Sequence, residues 1–152
     1  MSTFTLTARL REDTGSALVE FALVLPLLLV IAFGILDFGK AFNYWNDTNH
    51  LAATGARFAA VNRNPGAADS LTLQEYIAAQ GDTAELRDAL SVCIRTPDGE
   101  EVGGRVEVVA QSVYPLMTFL GLGPSLTLRG TAVMRLEQVP SLPDGFAPDV
   151  AC

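Results

Sequence analysis

Hydrophobic and polar positions fall into three regimes along the chain. Residues 15–39, GSALVEFALVLPLLLVIAFGILDFG, are almost wholly apolar, with Glu20 near one end and Asp37 near the other. The sixteen residues 21–36 carry no charge. Counted from Ser16, a helix reaching Leu36 rises about 31 Å, the width of bilayer hydrocarbon. The pattern predicts a transmembrane helix over 16–38. Pro26 does not veto it, because membrane spans tolerate proline, although a bend over 22–26 is expected. A buried core helix is one alternative, but about 110 further residues could hardly wrap every side of it. A cleaved secretory signal is another. Arg9 and Arg11 precede the run, yet it is longer than a signal core and no small-x-small site follows it cleanly.

Past Gly39 the apolar spacing becomes helical. Ala41, Tyr44 or Trp45, Thr48, Leu51 or Ala52, Gly55, and Phe58 or Ala59 recur every three to four residues. This predicts an extramembrane continuation of the helix over 39–64, ended by the NRNPG signals. Phe38, Phe42, Tyr44 and Trp45 read as interfacial anchors of an aromatic belt. Packing against the outer domain is the competing reading for them. The run LAATGARFAA is small enough for close approach, either to the chain's own sheet or to another helix.

The third regime, 65–137, mixes short elements. Helices are expected over 71–79 and 83–90, the second capped by Thr83. Strands are expected over 91–96 and 105–114, joined through Pro97, Asp98 and Gly99. The cleanest alternation lies over 126–137. There Leu126, Leu128, Gly130, Ala132, Met134 and Leu136 share one face. A short connection makes the last two strands antiparallel neighbours. The apolar stretch 115–123 reads as a cap on the sheet or as a membrane or partner contact. The fold class is therefore α+β: a long N-terminal helix packed on a small antiparallel sheet of about three strands. Residues 138–152 form a proline-rich tail without periodicity, expected to be flexible unless Cys152 tethers it.

Composition narrows the function. The chain has 152 residues and a net charge of −7, with no basic cluster to follow a phosphate backbone, so no nucleic-acid partner is expected. A single histidine, His50, makes a metal site unexpected, and no glycine-rich phosphate loop or nucleophile elbow occurs. No catalytic residue, cofactor or metal is therefore assigned. Cys93 and Cys152 admit one disulfide, with a free or intermolecular thiol as the alternative. Arg9 and Arg11 before the span place the N-terminus in the cytoplasm and the C-terminal domain outside.

Glu20 is the anomaly. A carboxylate within an apolar span is costly and is a functional hypothesis by default. It stands five residues after Gly15, and SALVEFALVLPLLL with GILDFGKAF follows that glycine. In these stretches, and in LRGTAVMRLE near the far end, the chain resembles the TadE/TadG-like family of tight-adherence (Flp) pilus assembly proteins. The helix start is similar to that of prepilins and pseudopilins. The resemblance implies a leader-like segment 1–15 and a prepilin-peptidase cut between Gly15 and Ser16. It also implies an intramembrane assembly role for Glu20 toward the freed amine of a neighbouring subunit. The implied partners are other pseudopilins, the inner-membrane assembly platform, the peptidase and the lipid bilayer. Without the resemblance, the same residues suit a generic membrane-anchored binding or sensor module.

Overall fold

A computed structural model describes residues 6–116, 123–142 and 145–149, with side chains from residue 15 onward. The chain divides into two units, Met1–Gly39 and Lys40–Cys152. Helix α1, Leu6–Ala60, begins in the first and ends in the second.

The first unit contains only helix among its described residues. From residue 15 to 36 every side chain is exposed, including Leu23 at 75 % and Ile35 at 68 %. α1 is the one helix among the described residues long and apolar enough to cross a membrane, and its most apolar window is wholly unburied. A soluble helix with leucine and valine on all sides would leave this surface in water; bilayer hydrocarbon is the solvent that suits it. Pro26 lies inside the helix. It removes one backbone donor, a loss that membrane helices accommodate.

In the second unit, residues 40–60 of α1 bury one face. Ala41, Thr48, Leu51, Ala52, Ala56, Ala59 and Ala60 are each 5 % exposed or less. The 3–4 spacing puts them in one stripe. The helix stops because Asn62 takes a left-handed conformation, φ 48°. The Arg63 amide then donates to the Phe58 carbonyl and the Asn62 amide to that of Ala59. This is a Schellman closure with asparagine in the usual glycine position. A single 3₁₀ turn, Ala67–Asp69, follows.

Helix α2, Leu73–Ala79, starts two residues later than expected because Thr72 caps it. The Thr72 hydroxyl accepts from the Glu75 amide, and the Glu75 carboxylate accepts from the Thr72 amide. Helix α3, Ala84–Ala89, has Thr83 as its cap, as expected.

The sheet has three antiparallel strands in the order β1-β2-β3: β1 Leu90–Arg95, β2 Arg105–Pro115 and β3 Ser125–Arg135. The inward face of β2 carries Val106, Val108, Ala110, Ser112 and Tyr114, all buried. On β3, Leu128 and Gly130 are buried and Ala132 and Met134 half-buried, as the alternation predicts. Leu126 departs from it and is exposed at the strand's start. Leu51, Ala52, Ala56, Ala59 and Ala60 of α1, Leu73 and Ile77 of α2, and Val106, Val108 and Ala110 of β2 share the main hydrophobic core, and Ala41, Tyr114 and Leu128 form a second cluster.

Gly130 sets the distance between helix and sheet. A Cβ there would stand 2.5 Å from the Thr48 carbonyl oxygen and 2.6 Å from the Asn49 nitrogen. Only a residue without a side chain lets backbone approach backbone so closely. Gly55 on the helix plays the reciprocal part, against Ile77 and Val108. The small run LAATGARFAA thus packs on the chain's own sheet.

The C-terminal stretch differs from the expected flexible tail over its described part. Phe146 is 1 % exposed and belongs to the core. The Asp149 amide donates to the Ile94 carbonyl, and its carboxylate accepts from the Ile94 amide. Asn62 holds Ser141 through both its side-chain atoms. One aromatic among prolines produces no periodicity, which is why the sequence pattern does not reveal the attachment. Residues 117–122 of the apolar stretch after β2, and Cys152, lie outside the described residues.

Three carboxylates outside the span are held below their ordinary range. A hydrogen bond from Arg105 does this to Asp98, one from Arg95 to Glu107, and the Thr72 amide and hydroxyl to Glu75. Both arginine pairs are two-pronged, with Asp98 at 2.7 and 2.9 Å and Glu107 at 3.0 and 2.8 Å. Depressed carboxylates stabilise the fold above their unfolded values, about pH 4, and lose that contribution as pH falls through the folded ones. The unfolding temperature should therefore hold steady between about pH 8 and 5 and fall below about pH 4. Asp98→Asn should remove part of that fall in a melt series. A fall on the alkaline side alone would contradict the assignment.

Candidate functional site

The candidate site is the first turns of the apolar helix. Helical geometry puts residues 16 and 20 one turn apart on one face. The Ser16 hydroxyl donates to Glu20 Oε1 at 3.5 Å, the long limit for such a bond. Both side chains are exposed. α1 passes through the bond between Gly15 and Ser16 without interruption, and nothing crowds the Gly15 Cα.

Electrostatics gives this turn its chemical content. A cut after Gly15 would create a cationic amine at Ser16 and leave the first backbone N–H groups of the shortened helix without helical acceptors. The positive end of the helix dipole would then lie a turn from the Glu20 carboxylate. In low dielectric, such a carboxylate and an amine each offset the other's desolvation. This arrangement can bind and orient a neighbouring helix.

The expected interfacial aromatics divide. Phe38 is 72 % exposed, Phe42 56 % and Trp45 45 %. Phe42 and Trp45 stand 5.7 Å apart, ring centre to ring centre. Tyr44 instead turns into the core of the second unit. Its ring meets Tyr114 edge-on at 5.2 Å, and its hydroxyl shares a 3.0 Å hydrogen bond with Thr83. The physical reason is angular. Positions 38, 42 and 45 follow the i, i+4, i+7 spacing of one face, whereas 44 falls with Ala41 and Thr48 on the buried stripe.

Cys93 is held in a disulfide. Its expected partner Cys152 lies outside the described residues. Among the described residues no group of three or more histidine, cysteine, aspartate or glutamate side chains could hold a metal. Sequence reasoning missed the role of Gly130, although a glycine inside a cleanly alternating strand is the signal for close backbone approach. It also missed Asp47, whose carboxylate accepts from the Asp82 amide at 3.0 Å.

A family model described as TadE-like protein matches residues 15–57. No curated protein and no solved structure matches the chain. The match begins at Gly15, contains Ser16 and Glu20, and ends within α1, so the likeness in LRGTAVMRLE stands apart from it. Over residues 15–57, within its N-terminal helix, the chain is similar to TadE-like proteins, and the long apolar helix there supports association with a membrane.

Proposed function

We propose that the chain is a pseudopilin-like component of tight-adherence (Flp) pilus assembly, anchored by a single span with its C-terminal domain outside the cytoplasm. The observation that carries this reading is the coincidence of three features on one segment. The TadE-like match, the unburied apolar helix and the carboxylate five residues after Gly15 all fall within residues 15–57. In this reading α1 packs laterally against other pseudopilins and the membrane platform, with Glu20 receiving the amine of a neighbouring helix. The outer domain supplies a docking body, and exposed Phe38, Phe42 and Trp45 hold the helix end at the headgroup level. Extracytoplasmic placement also suits the disulfide at Cys93.

The mature N-terminus tests the reading. Protein purified from membranes of the source cell should begin at Ser16 when sequenced by mass spectrometry. A chain keeping its leader would remove the amine that Glu20 is proposed to receive, and with it the pseudopilin reading.

A further inference from the structure

The two edges of the sheet are treated differently. In an antiparallel ladder, alternate residues turn their backbone groups toward one neighbour and then away from it. The Leu136 amide donates to Gly104 and the Leu116 amide to Pro124, which fixes the phase on either side of the β2·β3 pair. Even-numbered residues of β3 therefore face β2, and Ser125, Thr127, Arg129, Thr131, Val133 and Arg135 face outward. On β1 the same phase turns Ile94 outward, and the Asp149 amide and carboxylate satisfy both its backbone groups. On β3 nothing among the described residues hydrogen-bonds to the outer edge. All six outward residues are exposed. The strand is eleven residues long, so this edge is not blunted by shortness, one device by which natural proteins protect an open edge.

The side chains on this edge state a preference. The chain carries a net charge of −7, yet β3 contains no acid and two arginines, Arg129 and Arg135, six residues apart on one face. Arg135 stands directly opposite Arg105 on β2; Asp98 grips Arg105 with two hydrogen bonds and is near enough to feel the Arg135 charge, while Arg135 itself donates to the Gly103 carbonyl at 2.8 Å. Like charges opposed across strands disfavour the pair and favour an added carboxylate. Glu107 lies in the same face, already forked by Arg95.

A second copy of the chain does not suit this edge. Pairing β3 with β3 antiparallel needs a two-fold axis perpendicular to the sheet. That axis would reverse the part of α1 lying on the sheet, about 30 Å long for residues 41–60. The two residues 40 would emerge at opposite ends, which two chains anchored in one membrane cannot adopt. This exclusion rests on the anchored reading above; the open edge does not.

We propose that the outer edge of β3 accepts an extended acidic segment of a partner protein by strand addition, with carboxylates six residues apart meeting Arg129 and Arg135. The backbone groups of the six outward residues give affinity, and the two arginines give choice.

The test uses the full chain in zwitterionic nanodiscs and a fluorescein-labelled peptide, TEVTVTVEV, whose two glutamates have this spacing. The peptide should bind roughly tenfold more tightly than its lysine counterpart TKVTVTVKV at low salt, and the difference should shrink at high salt. Binding should protect the amides of Arg129, Thr131, Val133 and Arg135 from hydrogen exchange. R129E together with R135E should reverse the preference, and N-methylation of the peptide's β3-facing amides should abolish binding. Undiminished binding of the N-methylated peptide would overturn strand addition in favour of a simple charged surface. Absence of binding, or β3-to-β3 cross-linking of a T131C chain, would overturn the proposal too. These readouts use purified protein, so failure of the pilus reading leaves them intact.

Discussion

Replacing Gly130 with valine is expected to destabilise the second unit severely. The added Cβ would meet the Thr48 oxygen at 2.5 Å and the Asn49 nitrogen at 2.6 Å, and both are backbone atoms of a helix packed along its whole buried face. No rotamer change relieves such a contact, so helix and sheet must separate. Separation exposes the core of Ala52, Ala56, Val106 and Val108 on either side of the contact. Overpacking a core commonly costs about 1–3 kcal/mol, and a clash between two backbones belongs at or above the top of that range. Against a total of about 5–15 kcal/mol, that is a large fraction. Gly55→Ala is the informative comparison. Its nearest obstacle is Ile77 Cδ1 at 2.6 Å, the end of a side chain that can turn aside, so the loss should be much smaller. Urea unfolding followed by Trp45 fluorescence separates the cases. Val133→Thr, on the exposed face of β3, should change little. An unchanged midpoint for Gly130→Val would contradict the close helix–sheet contact described above.

Much of this contact is legible in the sequence alone. The two-residue alternation over 126–137 marks the buried face of β3, and the 3–4 spacing after Ala41 marks the stripe that covers it. Both are repeated signals, in which each residue reinforces the next. The attachments that escape are single residues. Phe146 reaches the core from among prolines, and Asp149 closes the β1 edge through one backbone pair and one carboxylate. Tyr44 lies next in sequence to Trp45, yet about 100° of helical turn separates an aromatic that caps the core from one that faces outward.

The site is legible for a different reason. Glu20 is conspicuous only because its surroundings exclude charge, and its distance from Gly15 is fixed by the sequence itself. The partner proposed for it is not legible, since that amine would belong to another chain and exist only after a cut.

The second large effect concerns that carboxylate. Glu20→Ala removes a charge from the edge of the span, which makes insertion easier rather than harder. It leaves the apolar helix and the second unit with their own contacts. What it removes is the group that would offset a neighbour's buried amine, and an unpaired amine in low dielectric is strongly disfavoured. Insertion and assembly should therefore separate in this variant. Glu20→Asp keeps the charge on a shorter arm and should fall between.

The decisive measurement is a complementation experiment in the source cell, with membrane-fraction abundance and surface pili counted for the same E20A strain. Wild-type abundance in the membrane together with few or no pili is the expected result. Normal piliation at wild-type abundance would contradict it.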